Sequence, residues 1–139
     1  MSTRSHAPLI RLARFKVEEL QKQMAEIDRA RAAIDDQIER LEESVPEEQA
    51  VASESREGFV AYGSYARSVI KRKENLRASR EEVDVQAKGL RERLEAAFSE
   101  LKKYELLEER RLARIEESVR AAEQAEMDEI GARIRGVAH

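Results

Sequence analysis

The chain has 139 residues, with 26 basic and 29 acidic side chains, a formal net charge of −3, 4% aromatic residues and no cysteine. So much charge beside so little aromatic material excludes a compact globular core, and the missing cysteines exclude a disulfide framework, a thiolate metal site and a cysteine nucleophile. The near-cancellation of charge excludes a whole-molecule field that would favour nucleic acid or an acidic membrane surface, so charge has to be read locally.

Ala, Glu, Leu, Arg, Lys and Gln dominate, all good helix formers, against five Gly and two Pro, so long helices are expected rather than sheets. No apolar run approaches the roughly 20 residues that span a bilayer, and no signal-peptide core is visible, so a cytoplasmic protein is expected. The first predicted helix covers about residues 8–45. Ile10, Ala13, Val17, Leu20, Met24, Ile27, Arg31, Ile34, Ile38, Leu41 and Val45 follow one another at alternating three- and four-residue steps, the seam of a coiled coil. Arg31 is the one charged member, and such a residue fixes register at some cost in stability. Pro8 suits a first helical turn, whereas Pro46 disfavours helical backbone at Val45 and is expected to stop the helix.

A loop is expected over about 46–65, "PEEQAVASESREGFVAYGSY", with room for a short helical piece after Pro46 and with Phe59, Tyr62 and Tyr65 capping the bend, a partner contact being the alternative for these three. The second predicted helix covers about 66–135. Its seam runs Val69, Lys73, Leu76, Arg80, Val83, Ala87, Leu90, Leu94, Ala97, Leu101, and then resumes at Leu112, Ile115, Val119 and Ala122, so a stutter falls inside "KKYELLEERRLAR". Gly89 inside this helix costs about 1 kcal/mol relative to Ala, and Gly131 and Gly136 are expected to end it.

Two helices and one loop give an all-α, monomeric antiparallel coiled-coil hairpin as a single domain. Helix two, at roughly 105 Å, outlasts helix one, at roughly 55 Å, and counting back from the loop places Leu101 opposite Ile10. The opening stretch then begins where its partner ends. Tyr104, Leu106, Leu107, Arg110, Arg111, Leu112 and Ile115 are therefore candidate partner-binding residues, because a lone amphipathic helix gains little in water. The alternatives are a seam paired with a second copy, or a first helix extended through its N-terminal residues.

Arg11 and Arg14, with Arg4 and Lys16, gather positive charge at the same end and are further candidates for partner contact, ordinary solvation being the alternative. The cluster Arg67, Lys71, Arg72, Lys73, Arg77 and Arg80 lacks interleaved aromatics, so a solvated helix face is expected and nucleic acid is not. His6 and His139 have no metal-ligand spacing, and no phosphate loop or concave site is in view. No catalysis, cofactor or metal is expected.

The stretches "PLIRLARFKVEELQKQMAEID", residues 8–28, and "AAFSELKKYELLEERRLAR", residues 96–114, resemble the FliJ family of the flagellar type III export apparatus, and the Lys102–Arg111 core carries most of the likeness. The resemblance implies a non-enzymatic stalk and adaptor, similar to the shaft of rotary ATP synthases, whose longer C-terminal helix enters the hexameric export ATPase. It also implies contacts with the cytoplasmic domain of the export gate and with export chaperones. On that footing the protein is expected at the cytoplasmic face of the inner membrane, peripheral through its partners. The equivalent stalk of a virulence-type secretion system and a homodimeric scaffold are the other readings.

Overall fold

The computed structural model describes residues 4–137, so His139 lies outside it. Two helices, α1 (Ala7–Ala52) and α2 (Arg56–Val137), pack antiparallel as a hairpin, with α2 the longer and no strand among the described residues. The chain forms two compact units, one from Met1–Val17 with Ala96–His139, the other from Glu18–Glu95.

In the unit Glu18–Glu95 the turn is far shorter than the sequence suggests. Pro46 lies inside α1, which continues to Ala52, and only residues 53–55 join the helices, in place of a loop over 46–65. A proline inside a helix removes one backbone hydrogen bond at a cost of about 3 kcal/mol. Packing offsets it: Ala52 is buried and Ser44 bonds the Tyr65 hydroxyl of α2, neither of which a helix ending at Val45 would allow together with so short a turn. Ser55 then caps α2, its Oγ accepting the Gly58 amide at 2.9 Å, and Glu57 places a carboxylate at the positive helix end.

Gly58 is needed here for closeness. A Cβ would sit 2.9 Å from Ser55 Oγ and 3.4 Å from the Ala52 Cα. Tyr62 and Tyr65 lie with ring centroids 6.3 Å apart. Phe59, expected to cap the bend, points outward instead and is 71% exposed.

The core of this unit is a line of small and aliphatic residues, Leu20, Ala52, Val69, Ala87 and Leu90, one residue wide because each helix buries only its seam. The cations that interrupt the seams find carboxylates on the opposite helix. Arg31 lies 3.4 Å from Asp84, Arg80 lies 2.8 Å from Asp35, and Lys73 lies 3.1 Å from Glu42. Their stems cover the seam while their charges sit at its edge. Exposed pairs add at most about 1 kcal/mol each, so their main effect is on register: they specify which residues face which along two otherwise repetitive stripes.

The second unit holds the beginning of α1 against α2, with Ala13, Val17, Ala97 and Leu101 buried. Gly131 does not end α2, which runs to Val137, the last described residue, and no described residue takes a positive φ. Without the left-handed backbone that forms a glycine cap, a glycine is only a weak helical residue.

Candidate partner-binding site

Pairing in the unit that contains the beginning of α1 reaches further along α2 than Leu101. The Glu108 carboxylate accepts the His6 amide at 2.7 Å and Ser5 Oγ at 2.9 Å, while Ser5 Oγ accepts the Ala7 amide at 3.1 Å. An acid of α2 thus closes the N-terminal end of α1, where unpaired amides and the helix dipole favour negative charge. Arg111 completes the clasp through its Nε on Glu108, and His6 Nδ1 lies 3.9 Å from the same carboxylate. The Glu108 and Arg111 side chains are 14% and 15% exposed.

Desolvation pushes the Glu108 carboxyl up, but the bonds from Arg111, Ser5 and the His6 amide, with the attraction of the Arg111 charge, outweigh it and hold the group at about 2, below its ordinary 4.5. Tyr104 donates to Glu100 at 3.1 Å, and this bond, then the Glu100 charge and burial, raise its phenol.

The expectation that the overhang starts at Leu101 is corrected by this clasp. Residues ahead of Ala7 carry the pairing on to Glu108, so Tyr104 and Arg111 lie beside the beginning of α1 and the unpaired arm starts at Leu112. The candidate residues fall into separate groups. Leu106, Leu107 and Arg110 line an open groove of about 780 Å³ with Phe98, Lys102 and Lys103. Leu112 and Ile115 continue the seam side of α2 into solvent, where Leu112, Ile115 and Val119 are 53%, 47% and 51% exposed. Arg11 and Arg14 are exposed on α1.

Sequence reasoning missed the apolar residues interleaved with those arginines: Leu9, Leu12 and Phe15 are also exposed. The signal was present in "LIRLARF", where apolar residues recur off the seam positions. In the basic cluster of α2, Lys73 and Arg77 approach Glu42 and Arg80 approaches Asp35, so half of those cations are balanced by α1. Among the described residues no helix is long and apolar enough to cross a membrane.

Fold and exposed faces together define a class: all-α coiled-coil hairpins whose longer helix extends an apolar side past its partner. A family model described as "Flagellar FliJ protein" matches residues 5–136. Proteins named "Flagellar FliJ protein" from two strains of Caulobacter vibrioides are each 31% identical to the chain over 132 residues, 94% of its length and 94% of theirs. No solved structure matches it. The chain therefore belongs to the FliJ family, and this makes it a component of flagellar protein export.

Proposed function

We propose that this protein is a non-enzymatic stalk and adaptor of flagellar type III export. The arm of α2 docks in the hexameric export ATPase, and the hairpin links that ring to the cytoplasmic domain of the export gate and receives export chaperones. The observation that carries this reading is the half-exposed line Leu112, Ile115 and Val119, on a stretch of α2 that α1 does not cover among the described residues. Burying the remaining half of such a side chain stabilises a complex by about 1 kcal/mol. A coiled-coil face of this kind gains it only from another surface.

ATP hydrolysis in this scheme belongs to the ring. The arm biases the nucleotide cycle by touching ring subunits differently in at least two of their states, since equal contacts would shift nothing. The protein is then held at the cytoplasmic face of the inner membrane through its partners.

Titrating the full chain into the export ATPase of the same organism tests this, beside a chain ending at Arg111, which keeps the Glu108 clasp and loses the arm. Stimulation by the full chain alone supports ring engagement through the arm. No binding and no change in hydrolysis with the full chain would sink the reading.

A further inference from the structure

The side of α2 turned away from α1 carries a second, different surface. Helical spacing puts Lys103, Leu106, Arg110, Glu117, Ala121 and Gln124 on one stripe, opposite the side that buries Ala97 and Leu101, and all six are exposed. The first half of this stripe is the groove described above, with three cations and no acid in its lining. Lys102, Lys103 and Arg110 form no ion pair among the described residues, whereas Arg120 lies 2.7 Å from Glu116 and Arg133 lies 2.8 Å from Glu129 on the same helix. Arg110 has Leu106, Leu107, Ala113 and Arg114 at the helical spacings where an acid would balance it. The second half supplies what the first lacks, because Glu117 also forms no ion pair among the described residues: of the cations three residues away, Arg120 lies on Glu116 and Arg114 does not reach Glu117, while Ala113 and Ala121 leave room beside it.

We propose that this stripe pairs with itself in a second copy of the chain, α2 against α2, antiparallel and two-fold. The two halves are mirror-ordered about the point between Ala113 and Arg114: Arg110 then meets Glu117, Leu106 meets Ala121 and Lys103 meets Gln124, each pair twice. An isologous contact needs this self-complementarity and closes at two copies. A large side chain facing a small one fills the space between close helices, and paired opposite charges exclude other registers. Leu106 and Arg110 thereby belong to self-association, while Leu112, Ile115 and Val119 lie on the other side of α2 and stay outside the interface. The proposal uses none of the side chains on which ring docking rests, and reversing Arg110 or Glu117, unlike ending the chain at Arg111, tests it separately from the arm.

Mass in solution tests it directly. The full chain is expected to rise from 16.0 kDa toward twice that value in sedimentation equilibrium, at concentrations up to about 100 μM. Arg110→Glu and Glu117→Arg should each raise the dimer dissociation constant about tenfold or more. The double variant should restore it, because both symmetry-related pairs re-form with reversed sign.

Since the native chain has no cysteine, a mixture of Leu106→Cys and Ala121→Cys chains should yield disulfide-linked dimers that neither chain forms alone. A monomer throughout the range overturns the proposal and leaves ring docking untouched. So does a dimer insensitive to the single reversals, or one that the double variant fails to rescue.

Discussion

Glu108 joins residues more than a hundred positions apart, and its titration gives a direct handle on that junction. Because its folded value is depressed to about 2 from an ordinary 4.5, the stability it contributes is present above about 4.5 and is lost as pH falls toward 2. The His6 amide resonance should therefore titrate near the lower value. Glu108→Gln should abolish that transition and flatten the acid sensitivity of the first turn of α1 relative to the native chain; a midpoint near 4.5 would show that the clasp does not form.

Two glycines on α2 give opposite expectations. Gly89 has open space around the position of a Cβ, so Gly89→Ala should raise stability in urea unfolding by about 1 kcal/mol. Gly58→Ala gains the same propensity but must displace the Ser55 cap, worth about 1 kcal/mol, and should show no net gain.

At the scale of elements, the two seams were legible because a three-four repeat states the buried side of a helix residue by residue, and Ala13, Val17, Ala87, Leu90 and Ala97 are buried as their positions require. The turn was not legible. A proline rule is local, whereas Pro46 is held helical by Ala52 and Tyr65, whose contribution depends on contacts between elements. Removing the local penalty should stabilise the hairpin: Pro46→Ala is expected to raise the unfolding free energy by roughly 1–3 kcal/mol. Loss of stability in that variant would mean that the proline shapes the packing it interrupts.

The junction at Glu108 was equally hidden. It depends on residues before the first seam position meeting one carboxylate within a run of charges that gives no sign of which acid is paired. The candidate residues of α2 that the sequence singles out fall in one continuous stretch, Tyr104 to Ile115. The sequence could not divide that stretch into a clasp, a groove and an arm, since the division follows the rotation of α2 about its own axis.

For the molecule as a whole, the buried seam and the exposed arm occupy different lengths of α2. The arm beyond Leu112 is exposed almost throughout and buries no seam residue. A chain ending at Arg111 should accordingly have an unfolding free energy within about 0.5 kcal/mol of the full chain's in denaturant titration, while losing helical circular dichroism in proportion to the residues removed. A large loss of stability would show instead that the arm supports the hairpin.

The joint between the helices, only residues 53–55, has a consequence for the order in which the structure forms. Ser44 and Tyr65 are 21 positions apart along the chain, but Ser5 and Glu108 are separated by 103. Loop-closure entropy therefore favours a start at the turn and a zipper that closes at the clasp last. The same sequence of events run backwards means that thermal opening begins at Ser5 and His6. The end that opens first is the one bordering the arm, so the length of α2 left unpaired lengthens or shortens with the fraying of a single turn of α1.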